Sequence, residues 1–247
     1  MSDRPPQDAP DELREVAQRY ARREVPGVAA GRSAADRYSL LQPDVWQTVQ
    51  ERQRALLTML RAEGWWDLER RRGVEVGCGM GGNLLELLRL GFRPEHLVGL
   101  ELLPQRLEQA RALLPATLQL HLGDATRAPI EPGSCDLVLQ ATVFSSLLDD
   151  AFQAELATAM WRWVKPGGAV LWYDFTFDNP RNPDVRGVTV ARARQLFPQA
   201  QLLHSRRVTL APPLARLACR WHAGLYPLLN ALPLLRTHRL LWLGKAA

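Results

Sequence analysis

The chain has 247 residues, of which 47% are hydrophobic and 23% are charged. This is the composition of an ordinary folded protein, and the length suffices for one α/β domain with additions, so the disordered and fibrous classes are excluded. The 31 lysines and arginines exceed the 26 acids, but residues 181–247 alone hold 11 basic residues and one acid, Asp184. Such a basic end attracts phosphates, acidic glycans, nucleic acid or anionic lipid, unless its arginines are merely solvated.

Residues 1–72 are expected to form a disordered tail followed by a helical cap. Residues 1–10 are polar and rich in proline, with no apolar signal-peptide core. A first helix is predicted over residues 11–25, which carry acids in their first turn, and a second from Pro43 to about residue 62. The loop between them contains the segment Asp-Arg-Tyr-Ser at residues 36–39.

From residue 73 onward, the sequence predicts strands that alternate with helices. Five strands are expected at residues 73–76, 97–102, 118–124, 135–141 and 169–175, and two more at residues 205–213 and 237–245. Residues 165–168 are predicted to form a turn. The fold class is therefore α/β, with a doubly wound, mostly parallel seven-stranded sheet and a helical N-terminal extension.

Residues 73–247 are predicted to be a single ligand-binding domain. It would carry a lid loop at about residues 176–190 and a basic helical insertion at about residues 211–235. Ligands of such sheets bind beyond the carboxyl ends of the strands, so the candidate residues must come from that edge.

The segment VEVGCGMGGN, residues 74–83, places a glycine-rich turn between a strand and a helix. Gly77, Gly79 and Gly82 match the G-x-G-x-x-G fingerprint of dinucleotide-binding proteins, so an NAD(P)-dependent oxidoreductase is one interpretation. Glu75 argues against it, because a carboxylate raises the energy of a nearby pyrophosphate but attracts a ligand with an ammonium and a sulfonium. The turn therefore favours S-adenosylmethionine over NAD.

Two further acids follow the next two strands. Glu101 ends the second strand, where a carboxylate can accept both hydroxyls of a ribose. Asp124 ends the third strand, where it can accept a hydrogen bond from an adenine amino group, beside a backbone donor at Ala125. Acids at successive strand ends predict an adenosine pocket at this edge of the sheet.

The runs VEVGCGMGG, GLEL, LGDAT, CDLVLQATVFSSL and VKPGGAVLWYDF follow one another over residues 73–175. In this order they resemble the Rossmann-like (class I) S-adenosylmethionine-dependent methyltransferases. The resemblance implies S-adenosylmethionine as cofactor and S-adenosylhomocysteine as product. The implied cofactor-binding residues are Glu75, Gly77, Gly79, Gly81, Glu101, Leu102, Asp124, Ala125 and Gln140, the last one near the sulfonium. The wider chain is similar to bacterial small-molecule methyltransferases that are often associated with surface-glycan synthesis.

The residues after the fourth strand narrow the choice of acceptor. QATVFSS, residues 140–146, stands where nucleobase and glutamine-amide N-methyltransferases of this class carry an (Asn/Asp)-Pro-Pro-aromatic segment. Neither Cys78 nor Cys135 lies in the proline-cysteine motif of cytosine C5 methyltransferases. A small molecule or a glycan, methylated at oxygen, is therefore the expected acceptor. Nucleic acid is not the expected partner, and an RNA methyltransferase that uses the basic end is the alternative.

Methylation of a hydroxyl benefits from a base within hydrogen-bond reach. Asp174, which ends the fifth predicted strand, is the catalytic candidate, and one of His204, His222 and His238 is the other. The predicted lid over the acceptor comprises Tyr38, Phe144, Asn179, Arg181 and Arg186, whose arginines would grip an anionic or polyhydroxylated group. Alternatively, Asp174 caps a turn and the arginines are solvated. The histidines form no ligand pair, so no metal site is predicted.

The C-terminal segment over residues 212–242 mixes leucines and tryptophans with spaced arginines. One interpretation is a cover over the sheet, and another is a surface that lies on an anionic membrane and faces a lipid-linked acceptor. Its longest charge-free stretch, residues 221–235, is interrupted by prolines and is too short to span a bilayer. Three widely spaced cysteines fit a reducing compartment. The expected location is the cytoplasm, with peripheral contact to the inner face of the membrane under the second interpretation.

Overall fold

A computed structural model describes residues 11–24, 39–180 and 182–247. Its strands are β1 (Gly73–Val76), β2 (Leu97–Glu101), β3 (Gln119–Leu122), β4 (Cys135–Ala141), β5 (Val164–Phe175), β6 (Gln201–Leu210) and β7 (Arg236–Gly244). Its helices are α1 (Asp11–Glu24), α2 (Pro43–Ala62), α3 (Gly82–Leu90), α4 (Pro104–Leu113), α5 (Asp150–Trp163), α6 (Val190–Leu196), α7 (Pro212–Trp221) and α8 (Leu225–Asn230). From β1 onward, strands and helices follow one another along the chain as the sequence predicts.

The seven strands form one sheet in the order β3-β2-β1-β4-β5-β7-β6. The first five are parallel, and β7 runs antiparallel between β5 and β6. The predicted doubly wound, mostly parallel sheet is confirmed. The strand order reverses at β1, which pairs with both β2 and β4, so the ligand crevice is expected outside the carboxyl ends of these strands. There Glu75 lies in register with Leu139, and Val76 with Gln140.

The prediction for the start of the fifth strand is wrong. Residues 165–168, predicted as a turn, lie inside β5. Pairing with β4 moves from Val164 opposite Cys135 to Ala169 opposite Leu137, so four residues of β5 bulge beside a single residue of β4. Gly167, with a φ of 74°, supplies the left-handed residue that such a bulge accommodates.

Helices cover both faces of the sheet and build two cores. On one face α1, α5 and α6 pack against alternate strand residues such as Val138, whereas α2, α3 and α4 pack against Leu137 and Leu139 on the other. The predicted N-terminal cap is continuous with these cores. Met59 of α2 is fully buried, and such a side chain contributes roughly 1.5–3 kcal/mol to folding.

The predicted helical insertion lies between β6 and β7 and comprises α7, α8 and the short turn that follows. It rests on a small cluster of its own formed by Leu210, Ala215 and Tyr226. Within the described ranges, no helix combines the length and the apolar character that crossing a bilayer requires.

Candidate cofactor and acceptor site

The turn between β1 and α3 depends on glycines with left-handed backbone angles. Gly77 has a φ of 65° and Gly81 a φ of 85°. A Cβ on Gly77 would lie 2.5 Å from Cγ2 of Val143, and one on Gly81 would lie 2.7 Å from Cδ1 of Leu114. Both positions therefore require glycine, because the positive φ angle disfavours a side chain and the neighbouring side chain leaves no space for one. The turn is held between the loop after β4 and the end of α4.

Glu75 lies at this edge with no exposed surface. Its Oε1 accepts a hydrogen bond of 2.6 Å from Nδ2 of Asn83, whereas its Oε2 has no partner. Burial raises the pKa of the carboxyl to about 8. Leaving a buried acceptor unsatisfied costs about 1–3 kcal/mol. A ligand that donates a hydrogen bond to Oε2 of Glu75 would therefore be stabilised here, and a cationic donor would be stabilised most.

Helix α2 reaches this acid through a residue that the sequence did not single out. Nη2 of Arg52 donates to Oδ1 of Asn83 and lies 3.7 Å from Oε2 of Glu86. Because Asn83 accepts from Arg52 and donates to Glu75, both ends of its amide are fixed. No motif connects α2 with the glycine turn, and the asparagine that opens α3 was the only local signal of this chain of bonds.

Glu101 links the end of β2 to the glycine turn. Its Oε2 accepts from the backbone N–H of Gly79 and its Oε1 from that of Leu103, both at 2.8 Å. Burial raises its pKa. A carboxylate has about four acceptor sites, so two remain for the hydroxyls of a ribose.

A cavity of about 450 Å³ opens at the carboxyl ends of β2 and β3, and Leu102, Asp124 and Ala125 line it together with His121. Oδ1 of Asp124 accepts from N and Oγ1 of Thr126, each at 2.8 Å. Its Oδ2 is buried and makes no hydrogen bond, although Nε of Arg127 lies 3.7 Å from it. The structure thus brings three predicted cofactor residues to one cavity with a spare acceptor, and the volume falls in the usual range for ligand pockets.

Gln140 ends β4 as predicted, but its amide is engaged within the protein. Its Oε1 accepts from the backbone N–H of Val143 at 3.0 Å, and its Nε2 donates to the carbonyl of Tyr173 at 3.4 Å. These bonds shape the turn that packs on Gly77. That turn also holds Thr142 at a φ of 58°, an unusual angle for a β-branched residue. A role for Gln140 near the sulfonium stays a prediction.

Asp174 is fully buried at the end of β5. Its Oδ2 accepts from the backbone N–H of Ser145 at 3.1 Å and its Oδ1 from that of Phe175 at 3.0 Å. Burial raises the pKa of this carboxyl to about 7. These bonds tie β5 to the loop after β4, so Asp174 positions that loop, and its catalytic role stays a prediction.

Phe144 is wrong as a lid residue, because it has no exposed surface and packs in the core. Its ring lies 4.5 Å from that of Trp172, centroid to centroid. The sequence around it, between a strand and a helix, resembled a surface loop, and only the tertiary packing reveals its burial.

The other lid candidates lie in different surroundings. Arg186 forms an ion pair with Asp150 at the start of α5, and its backbone N–H donates to the carbonyl of Ser145 at 2.8 Å. Asn179 is exposed in the loop after β5. Tyr38 and Arg181 lie outside the described residues.

Helix α1 provides a cover for this edge. Its buried Arg19 pairs with Glu12 at 2.6 Å and donates to the carbonyl of Ser146 at 3.0 Å. Its Arg22 lies 3.0 Å from Asp184 in the loop after β5. The guanidinium of Arg106, on α4, lies 4.5 Å from the ring centroid of Tyr20. One helix therefore contacts the loops after β4 and β5 and the helix after β2.

His238 reaches the same edge, because β7 begins beside the carboxyl end of β5. It is in register with Phe175, and its ring stacks on that of Tyr173 at 4.9 Å. Burial, and then the charge of Arg52, lowers its pKa to about 4. His238 is therefore neutral at pH 7.

Comparison with known proteins agrees with this geometry. Residues 74–168 match the family model described as a methyltransferase domain. The fold superposes on an S-adenosylmethionine-dependent methyltransferase from Mesorhizobium loti with a TM-score of 0.56, at 17% identity over 75% of this chain and 95% of that one. Residues 74–168 therefore form a methyltransferase domain, and the fold is that of S-adenosylmethionine-dependent methyltransferases. The oxidoreductase interpretation of the glycine fingerprint is thereby set aside.

The chain also superposes on the geranyl diphosphate C-methyltransferase of Streptomyces coelicolor A3(2), solved with Mg²⁺, geranyl diphosphate and S-adenosylhomocysteine. The TM-score is 0.55, at 13% identity over 76% of this chain and 75% of that one. In sequence the chain is 38% identical over 109 residues to a fatty-acid O-methyltransferase of Mycolicibacterium smegmatis. This aligned region covers 44% of this chain and 38% of the relative. The chain is 33% identical over 115 residues to an uncharacterised transposon protein of Streptomyces fradiae, which covers 43% and 32%. The chain thus spans about a third of the length of the curated relatives it matches.

The described residues of this site fit S-adenosylmethionine, the cofactor of the methyltransferase from Mesorhizobium loti on which the chain superposes. Oε2 of Glu75, which has no hydrogen bond, suits an ammonium. Oδ2 of Asp124 also has no hydrogen bond, although Nε of Arg127 lies 3.7 Å from it, and it suits an exocyclic amino group. Glu101 stands between them along the strand order, where the ribose belongs. The ammonium, the ribose hydroxyls and the adenine amino group would therefore each meet a carboxylate at this edge.

Proposed function

We propose that this protein transfers the methyl group of S-adenosylmethionine to an oxygen atom of a small molecule or a glycan. The observation that carries the proposal is the carboxylate oxygen of Glu75 that has no hydrogen bond, buried beside a glycine turn that has no room for a side chain at Gly77 or Gly81. Such an acid disfavours a pyrophosphate and favours a cationic amino-acid moiety.

In the proposed mechanism the protein binds and orients the reactants. The bound cofactor supplies a methyl group that its positive sulfur already activates for in-line displacement. Glu75 would hold the ammonium, Glu101 the ribose hydroxyls, and Asp124 with Ala125 the adenine. Orientation of this kind contributes up to about 7–11 kcal/mol to the rate. Helix α1 excludes water from the edge, because its buried Arg19 fastens it to the loop after β4.

Oxygen as the acceptor atom is supported by the segment after β4, which lacks the paired prolines of amide and nucleobase N-methyltransferases. It is also supported by likeness to a relative named as a fatty-acid O-methyltransferase. A carboxylate acceptor would need no base, because it is ionised at neutral pH. A hydroxyl acceptor would need one, and Asp174, with a pKa of about 7, suits neutral pH better than His238, with a pKa of about 4.

Calorimetric titration tests the cofactor part of this proposal. S-adenosylhomocysteine is expected to bind the protein, and NADH is not. Glu75→Gln should weaken this binding at least tenfold, because hydrogen bonds to charged groups are worth about 1.5–3 kcal/mol. Glu108→Gln, an exposed acid on α4, is the matched control. NADH binding without S-adenosylhomocysteine binding would refute the proposal.

A transfer assay tests the acceptor part. Protein and S-adenosylmethionine with a labelled methyl group would be incubated with separate panels of carboxylic acids, phenols, sugars and amines. Label is expected in an oxygen acceptor. Label confined to the amines would show that the assignment of oxygen is wrong while leaving the cofactor assignment intact.

The basic C-terminal end supports one alternative, an RNA methyltransferase. Residues 181–247 hold 11 basic residues against one acid. Binding to RNA would weaken steeply as salt rises, because each phosphate contact releases counterions. Transfer of label to RNA, together with that salt dependence, would favour the alternative over a small acceptor.

A further inference from the structure

The insertion between β6 and β7 exposes large apolar side chains to an unusual degree. Within 18 residues, Leu217, Trp221, Leu225, Leu228, Leu232 and Leu234 are all exposed, Trp221 by 79% and Leu234 by 87%. We call these six residues the apolar face. Scattered single apolar residues on a surface are ordinary, but a group of this kind marks an interaction site.

The apolar face arises because α7 is packed with its small residues inward. Ala215 and Ala218 are buried against the protein, whereas Leu217 and Trp221, four residues apart, are exposed on one side of the helix. Arg216 and Arg220 are exposed beside them. A helix that merely covered the sheet would bury its leucine and tryptophan, because these contribute most on burial.

A second feature adjoins this face. A cavity of about 360 Å³ between α2, β6 and α8 is lined by four arginines, Arg54, Arg206, Arg207 and Arg236. In the part of the chain that the structure describes, none of the four forms a salt bridge. Glu51 also lines the cavity, and its Oε2 is engaged by the backbone N–H of Thr209 at 2.8 Å and by the hydroxyl of Tyr226 at 3.1 Å.

The cavity and the apolar face are continuous along one segment. Asn230 and Arg236 line the cavity, and the exposed Leu232 and Leu234 lie between them in the chain. Nε of Arg236 donates to the carbonyl of Asn230 at 2.6 Å, which closes this segment into a compact loop. Positive charge and exposed apolar surface are therefore presented together.

We propose that the apolar face docks on the surface of an anionic lipid bilayer, with the four cavity arginines binding headgroup phosphates. Leucines and a tryptophan among arginines are what an interfacial surface requires, since the apolar side chains enter the acyl boundary and the charges meet the anionic headgroups. Charge complementarity favours this occupant, because the C-terminal end carries almost no acid. RNA would use the arginines but leave the five leucines exposed to water.

Vesicle flotation tests the proposal without any cofactor or acceptor, so its outcome is independent of the proposed chemistry. The protein is expected to float with phosphatidylcholine vesicles that contain about one third phosphatidylglycerol and not with phosphatidylcholine alone. Binding should be reversed by about 0.5 M NaCl, where charges are screened within a few ångströms.

Two double variants separate the contributions of charge and apolar contact. Arg54→Gln with Arg206→Gln should weaken vesicle binding about 30-fold, since each cation near such a surface contributes about 1 kcal/mol. Trp221→Ser with Leu234→Ser should weaken it at least tenfold. The matched controls are Arg70→Gln with Arg111→Gln and Trp66→Ser with Leu113→Ser, exposed residues elsewhere on the protein. Binding of S-adenosylhomocysteine, unchanged in all four, would show that each variant folds.

Several results would overturn the proposal. One is the absence of flotation with anionic vesicles. Another is a loss of vesicle binding in the control variants equal to that in the test variants. If the protein is a dimer in solution and the variant with Trp221→Ser and Leu234→Ser is a monomer, the apolar face would bind a second copy of the chain instead. Salt-sensitive RNA binding that is lost in the arginine variant, with vesicle binding retained, would assign the cavity to nucleic acid.

Discussion

The two halves of the sheet edge differ in how their buried polar groups are satisfied. At the ends of β1 and β3, Glu75 and Asp124 each keep one oxygen without a hydrogen bond, that of Asp124 lying 3.7 Å from Nε of Arg127. At the ends of β4 and β5, both oxygens of Asp174 and both polar atoms of the Gln140 amide are hydrogen-bonded within the protein. Unsatisfied buried acceptors are costly, so the first half is preorganised for a ligand, whereas the second is held closed by its own bonds.

The strongest way to break this comparison is Asp174→Asn. If the closed half supplies the base for a hydroxyl acceptor, kcat at pH 7 should fall at least about 100-fold, because general bases contribute about 10²–10⁴. Affinity for S-adenosylhomocysteine, a property of the other half, should stay within about twofold. His238→Gln is the control at the same edge and should retain most of kcat. An unchanged kcat in Asp174→Asn would leave this acid with a positioning role only.

The two halves of the edge pack together where Val143 contacts Gly77, which has no side chain. A substitution at Gly77 would disrupt this packing. Gly77→Ala should lower the free energy of unfolding by about 2–3 kcal/mol, because alanine is strained at a φ of 65° and its methyl group would meet Cγ2 of Val143. Chemical denaturation measures the loss. Adding Val143→Ala should restore the part due to the clash but not the part due to the backbone angle. Full restoration would show that the angle costs nothing.

The pKa of Glu75 predicts a pH dependence of the cofactor half alone. Its value of about 8 lies above the ordinary 4.5, so the proton must leave before the acid attracts an ammonium. Affinity for S-adenosylhomocysteine should therefore rise by up to about tenfold per pH unit between pH 6 and pH 8. In the unliganded protein the sign is opposite: the folded state holds this proton more tightly, so the stability from this group falls as pH rises from about 4.5 to about 8. Titration calorimetry for the affinity and chemical denaturation for the stability should find both trends absent in Glu75→Gln.

The smallest expected effect concerns Arg52, whose hydrogen bond to Asn83 supports Glu75 in the cofactor half. Arg52→Met deletes the donor that fixes Asn83 while keeping the length of the side chain. Affinity for S-adenosylhomocysteine should fall about fivefold, near 1 kcal/mol, which is a typical value for a positioning hydrogen bond. Arg89→Met on α3 is the control. A fall equal to that of Glu75→Gln would mean that Arg52 is required for the acid to bind at all.

The same two halves differ in how far the sequence predicted them. The cofactor half follows from local chemistry, since a glycine turn and acids at consecutive strand ends are arranged by the parallel sheet itself. The bounds of β4 were also predictable, because a continuous apolar run is typical of a strand buried on both faces. Arg52 was missed because helix packing, and no motif, brings α2 to the turn.

The acceptor half was less predictable because its residues are defined by packing between distant elements. Phe144 has the sequence context of a loop and the environment of a core residue. Asp174 was identified at the correct strand end, but its burial by the backbone of Ser145 depends on the path of the loop after β4. Residues 165–168 have the composition of a turn, yet the neighbouring strand keeps them within the sheet as a bulge.

The contacts of α1 bear on how long the protein would retain what it binds. Arg19, Tyr20 and Arg22 fasten one helix to the loops after β4 and β5 and to α4. Detaching this helix would break all three attachments together, so the dissociation rates of cofactor and acceptor would be set by a common event. A bulky group attached to α1 should shorten both residence times in parallel, even though it touches neither ligand.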